Sequence, residues 1–334
     1  MSMRTWAAVA VICAVGCGGG SDDGGTGAAD AAHSGAVDAG DSGPTLEERV
    51  TAAEMAAASD PACTAIAEPD GFYWEIGDAD RAVGDGSIGA DYTANTLLQI
   101  ASGSKLVWGA YVVERFADDM GAIDVEAMTM RSGYTSFDHC PGALTVAGCF
   151  EAGGNAHNAV DDGFYFYGGG HFQRYAIDLG LGAKGKPALA AEIQRLLGED
   201  IELSYWIPEP AAGVQMTPAA YARFLRKILA GELAIGAHLG GAAVCTLPAA
   251  CPQAHDSPVD KAWHYSYGHW VEDDPATGDG AFSSPGAFGF YPWIDASKSW
   301  YGLVARKDTG QGAYLESVAC GQAIRRAFMA GAYE

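Results

Sequence analysis

An α+β fold, with an antiparallel sheet flanked by N- and C-terminal helices and a helical region inserted between two blocks of strands, is what this sequence predicts. Three observations lead there. Two strand patterns separated by a turn lie before residue 90; aromatic, alternating segments return only after residue 260; and between them the apolar residues keep helical spacing.

In chain order, residues 46–67 carry a helical pattern with a break at Pro61. Residues 71–77 (GFYWEIG) and 81–89 read as two strands joined by a turn, the start of an antiparallel sheet. Residues 100–116 (IASGSKLVWGAYVVERF) then open a helix that is apolar almost all round from Leu106 to Val113, the mark of a helix buried in a core. From 119 to 258 the chain reads as helix and loop. Its clearest helices are 187–197 and 217–229, where Thr217 suits the cap and Pro218 the first turn. Residues 263–270, 286–294 and 300–306 read as three further strands. A last helix, 316–329, turns Val318, Ala319, Ala323, Ile324, Ala327 and Phe328 toward the sheet.

The N-terminal residues stand apart from this pattern. Arg4 precedes a short apolar run, residues 6–15, and Ala14-Val15-Gly16 places small residues just before Cys17. The run is too short to span a membrane. Residues 1–16 read as a lipoprotein signal peptide cleaved before Cys17, which would carry the lipid; an ordinary secretory peptide is the alternative. Residues 17–44, rich in Gly, Ala, Ser and Asp and without Phe, Tyr or Trp, read as a disordered tether. The expectation is an exported, membrane-anchored protein facing the periplasm or cell exterior, with residues 45–334 as its domain. Its contact with the membrane would come through the lipid. A formal net charge of −23 argues against nucleic acid as a partner.

Export brings an oxidising compartment, and Cys63, Cys140, Cys149, Cys245, Cys251 and Cys320 form an even set. Many connectivities are open to them. The expected one closes two short loops, Cys140–Cys149 and Cys245–Cys251, and leaves Cys63–Cys320 as a clamp between the first and last helices. No C-x-x-C spacing supports zinc instead.

Ser102 lies three residues before Lys105, and residues at that spacing share a helix face. A serine hydroxyl is a poor nucleophile without a base in reach, and an amine enclosed by apolar residues can serve as one. At a first helical turn, free backbone N–H groups and the positive end of the helix dipole can hold an oxyanion. Such a serine also suits a helix cap. In its context, a turn-rich segment followed by Ile-Ala-Ser and a long apolar helix, this stretch resembles the active-site helix of the penicillin-recognising serine hydrolases. These are the class C β-lactamases, low-molecular-weight penicillin-binding proteins, D-aminopeptidases and related esterases. The resemblance extends over nearly all of residues 60–334. It implies a β-lactamase/transpeptidase-like fold, whose first and last helices lie together on one sheet face, where a Cys63–Cys320 bond would fit.

The resemblance assigns further positions. Tyr167, in GFYFYGGGHFQRYA, matches the tyrosine of the second motif, with Gly169 where the family has asparagine; Tyr165 is the lesser candidate. Residues 212–233 (AGVQMTPAAYARFLRKILAGEL) resemble the Gly-rich turn and amphipathic helix that follow. Ser284-Pro285-Gly286, followed by AFGFYPWID, matches the third motif, with Ser284 where a lysine or histidine is usual. Gly286 would let substrate lie along the strand, and the Ala287 and Ser102 N–H groups would form the oxyanion hole. Loss of the basic residue and of the amide weakens the case for β-lactams and D-Ala-D-Ala termini. An ester or a neutral amide, in a small molecule or a peptide, remains as substrate.

The expected activity is therefore acyl transfer by Ser102, Lys105 and Tyr167, with no cofactor and no metal. A lipid-anchored binding protein that keeps the fold without turnover is the rival. A Ser-His-Asp hydrolase would show a G-x-S-x-G elbow, which the sequence lacks. His157, Asp161, Asp162 and His171, or His264 and His269, lack metalloprotease spacing and read as structural.

Overall fold

The computed structural model describes Gly43–Glu334, which form one unit. The signal reading of residues 1–16, lipidation at Cys17 and nearly all of the tether lie outside the described residues. No helix among the described residues is long and apolar enough to cross a membrane.

The core is an eight-stranded sheet. Its strands are β1 (Phe72–Gly77), β2 (Ala82–Ile88), β3 (Val244–Cys245), β4 (His264–Tyr265), β5 (Trp270–Glu272), β6 (Ala281–Ser283), β7 (Tyr291–Ile294) and β8 (Tyr301–Ala305). They run in the order β2-β1-β8-β7-β6-β5-β4-β3, every pair antiparallel. The expected α+β architecture is thus present, with the first and last strand blocks side by side.

Four helices position the site: α1 (Leu46–Ser59), α2 (Ser104–Phe116), α3 (Pro218–Leu229) and α4 (Ala313–Ala330). Thr45 caps α1 in a reciprocal box with Glu48, a device worth about 1 kcal/mol. Every residue of β1 is buried, because helices cover both faces of the sheet. On one face Glu75 meets Arg226 of α3 at 3.5 Å. On the other, Tyr291 of β7 accepts from Arg325 of α4 at 2.8 Å, and α4 packs against α1. Side chains alternate across a strand, so one sheet serves two helical layers.

Three disulfides join the pairs expected, with Cα–Cα separations of 4.5 Å for Cys63–Cys320, 5.0 Å for Cys140–Cys149 and 6.4 Å for Cys245–Cys251.

The structure corrects several boundaries. Residues 263–270 form a tight hairpin of β4 and β5 in place of one strand, turning at Gly268 (φ 79°). A side chain at Gly268 would collide with the backbone of Lys105 in α2, so the turn is set by contact with that helix. Residues 286–294 likewise divide: Gly286 bridges to Phe290 across a turn, Gly289 takes φ 92°, and only Tyr291–Ile294 is strand. The region 119–258 contains short strand pairs besides helices. Ser132–Tyr134 pairs with His157–Asp162, and Tyr165–Phe166 with Ala254–Asp256. Finally, α4 begins earlier than expected, and Ala319 faces solvent while Cys320 turns inward.

Candidate active site

Ser102 sits on a short 3-10 turn, Ala101–Gly103, immediately before α2, one turn earlier than a regular helical start. Ala101 is held at φ 44°, a conformation that costs an alanine roughly 1–2 kcal/mol and that recurs where a fold presents a reactive side chain. Neighbouring segments hold this turn in place. Leu98–Gln99 pairs with Val214–Met216, Ile100 N–H donates to the Val214 carbonyl (3.2 Å), and Tyr221 of α3 donates to the Gly103 carbonyl (2.9 Å).

That strand pairing carries the Ala211 carbonyl to the nucleophile. Lys105, 4% exposed, donates from Nζ to Ser102 Oγ at 2.9 Å and to Ala211 O at 3.1 Å. Its Nζ also stands 4.9 Å from the centroid of the Tyr167 ring. Tyr167 stacks on Trp270 (5.4 Å, 23°) and meets Tyr265 edge-on. Tyr165 is fully buried against Tyr265 and Trp270, and burial pushes its phenol well above the ordinary tyrosine range. Of the two tyrosines, Tyr167 is the one that shares a cavity with Ser102.

Two cavities meet at Ser102. One, of about 70 Å³, is walled by Tyr167, Trp263, Trp270, Val259 and Val318 and is apolar. The other, of about 380 Å³, holds Lys105 and is lined by Phe137, Asp138, Trp206, Glu209 and Phe288. Ala287 borders both and is exposed, and its N–H has no protein partner among the described residues.

Eight antiparallel strands between terminal helices, with a serine–lysine pair at the foot of the buried helix, invite comparison with solved structures. The hydrolase EstCE1, described as having promiscuous acyltransferase activity, matches with TM-score 0.60 at 12% identity over 85% of this chain and 98% of its own. Unliganded simvastatin synthase (LovD) from Aspergillus terreus matches with TM-score 0.56 at 14% identity over 84% and 98%. A β-lactamase from Mycobacterium bovis matches with TM-score 0.50 at 13% identity over 83% and 99%. The chain has the β-lactamase/transpeptidase fold. No family model matches the sequence, and no curated protein sequence is similar to it. At such identities the likeness is one of fold, and the chemistry has to be read from the geometry.

Within this β-lactamase-like fold, two of the sequence-derived positions, Ser284 and Gly286, pack against the nucleophile's turn, and a third, Gly169, lies at the cavity rim. Ser284, 2% exposed, donates from Oγ to the carbonyl of Ser102 at 2.8 Å. Its hydroxyl is therefore engaged by the protein's own backbone. Gly286 packs so closely on the Ile100 carbonyl that no side chain fits there, and it lies against the Gly103 N–H as well. Gly169 caps the helix Gly170–Asp178 at the rim of the larger cavity.

The histidines of the metal alternative have structural partners. His171 bonds Ser132 Oγ (2.9 Å) and the Phe166 carbonyl (3.0 Å), and His269 accepts from the Gly240 N–H (3.0 Å). Burial pulls both imidazoles down to about 4.

One group of the site escaped the sequence reading. Glu209, 3% exposed, enters the larger cavity beside Lys105. Burial raises its carboxyl above the usual range, and the positive influence of Lys105 and His139 opposes this in part. The signal was present: a carboxylate between two prolines, Pro208-Glu209-Pro210, just ahead of the Gly-rich turn.

Proposed function

We propose that this chain is a serine hydrolase that acts on an ester or amide through an acyl-enzyme. The observation that carries the reading is the 2.9 Å hydrogen bond between Lys105 Nζ and Ser102 Oγ at the junction of two cavities. With Lys105 as the free amine, the Ser102 proton passes to Nζ as Oγ bonds to the carbonyl carbon. The carbonyl π pair moves to oxygen, where the N–H groups of Ser102 and Ala287 hold it. Collapse of this intermediate breaks the bond to the alcohol or amine, which takes a proton from Lys105 with Tyr167 beside it. Water, or another acceptor, then releases the acyl group.

The absence of a cation at Ser284 and the commitment of its hydroxyl to Ser102 favour esters and amides other than β-lactams. Export as a Cys17-anchored lipoprotein belongs to the same proposal. Cys17→Ser should abolish labelling by a fatty-acid precursor.

The direct test is intact-mass analysis after incubation with a fluorophosphonate and, separately, a penicillin, with Ser102→Ala as control. A serine-dependent adduct with the fluorophosphonate alone is expected. An adduct with both restores the cell-wall reading, and no adduct with either refutes the enzyme in favour of the binding protein.

A further inference from the structure

Glu209 is a buried acidic side chain that lines the larger cavity, and its environment is incomplete. Its Oε2 is shielded from solvent and has no hydrogen-bond partner among the described residues. A buried polar atom left unpaired is expensive, and in native proteins such an atom commonly awaits a partner. The space it occupies is informative. A Cβ built on Gly169 would lie 3.0 Å from Glu209 Oε1, so the carboxyl fills the room into which a longer side chain at 169 would project. An amide at that place is neutral, whereas this chain puts an acid there, delivered from a different loop.

The rest of the cavity has matching chemistry. Asp138 adds a second carboxylate, whose Oδ1 accepts from the His139 N–H at 2.7 Å. Phe137, Trp206 and Phe288 supply aromatic walls of the kind that hold cations by their π faces. Both hydrogen bonds of Lys105 go elsewhere, to Ser102 and Ala211. The Cys140–Cys149 disulfide lies within 4.8 Å of the Glu209 carboxylate and closes the loop that follows Phe137, Asp138 and His139.

We propose that this cavity is a cation subsite, in which Glu209 and Asp138 receive an ammonium group carried by the ester or amide substrate close to its scissile carbonyl. The inference rests on the serine-hydrolase reading above and names the substrate class of the same site. The ammonium pairs with the Glu209 carboxyl where it lines the cavity and favours its ionised form. Lys105, His139 and Asp138 are the charged and titratable groups that act on that carboxyl. Because burial raises Glu209, acidification neutralises this carboxyl and takes its charge out of the subsite.

The test compares para-nitrophenyl esters of matched size: β-alanyl (cationic), butanoyl (neutral) and succinyl (anionic). The wild-type protein should give kcat/KM in that order, with the β-alanyl ester favoured over the butanoyl by about tenfold. The β-alanyl to butanoyl ratio should fall as the pH is lowered through the Glu209 titration. It should collapse toward unity in Glu209→Gln and fall part-way in Asp138→Asn. Should Glu209→Gln fail to fold, wild-type inhibition decides the matter, with butylammonium expected to compete more strongly than butyrate. A butanoyl ester hydrolysed at least as well as the β-alanyl ester overturns the subsite and leaves the hydrolase standing, as does an unchanged ratio in folded Glu209→Gln. No turnover of any ester together with no fluorophosphonate adduct overturns both.

Discussion

Gly286→Ala probes how closely the nucleophile's turn is packed. A methyl group at 286 would fall deep inside van der Waals contact of the Ile100 carbonyl and 3.3 Å from the Gly103 nitrogen, both backbone atoms that have no rotamer to change. The Ile100–Gly103 segment and the Gly286–Phe290 turn must therefore part by about 1 Å to restore ordinary contact. Ser102 is on the first of these segments and Ala287 on the second, so the separation widens the oxyanion hole itself. Misplacement on that scale costs on the order of 100-fold in rate, or about 2.7 kcal/mol in the barrier. Overpacking should also lower the folding free energy by about 1–3 kcal/mol. The assay is kcat for a neutral para-nitrophenyl ester, alongside urea unfolding to show that the variant is folded. A folded Gly286→Ala with wild-type kcat would refute the argument that Ala287 and Ser102 act together on the substrate.

Other expectations follow from the same geometry. Lys105→Ala should lose about 100- to 10,000-fold in kcat, and Tyr167→Phe should slow turnover by less, both read from ester hydrolysis with the fold checked by circular dichroism. His171 and His269 are pulled down to about 4 from 6.5, so the unfolded chain takes up their protons first as pH falls. The stability they contribute is complete above pH 6.5 and lost toward pH 4, amounting to about 2 kcal/mol per histidine between pH 7 and 5 in urea unfolding. In His171→Gln that share of the pH dependence should vanish, and an unchanged slope would refute the assignment. Replacing Cys63 and Cys320 by alanine removes a link across 257 residues and should lower stability by about 2–5 kcal/mol, measured by urea midpoint.

The sheet-and-helix order was legible because periodicity is a local property. GFYWEIG alternates as a strand must, and Thr217-Pro218 marks a helix start without help from elsewhere. The boundaries that moved are those set by distant chain. Residues 263–270 bend because Gly268 meets α2, and residues 286–294 bend because Gly286 meets the nucleophile's turn. Neither contact leaves a trace in the local pattern.

The site divides along the same line. Ser102 and Lys105 are three residues apart, so the local spacing by itself pointed to the pair, while the 3-10 turn that presents Ser102 is held by Val214 and Tyr221 from distant chain. Local loop closure likewise pointed to Cys140–Cys149 and Cys245–Cys251. What surrounds the pair is another matter. Ser284 looked like a substrate-facing residue, yet the fold turns its hydroxyl to the Ser102 carbonyl across a sequence separation of 182 residues. Glu209 escaped the sequence reading because only the pairing of Leu98–Gln99 with Val214–Met216 brings its loop to Lys105, and only packing takes its solvent away. A charge acquires chemical character from its desolvation and its neighbours, and both are properties of the packed chain.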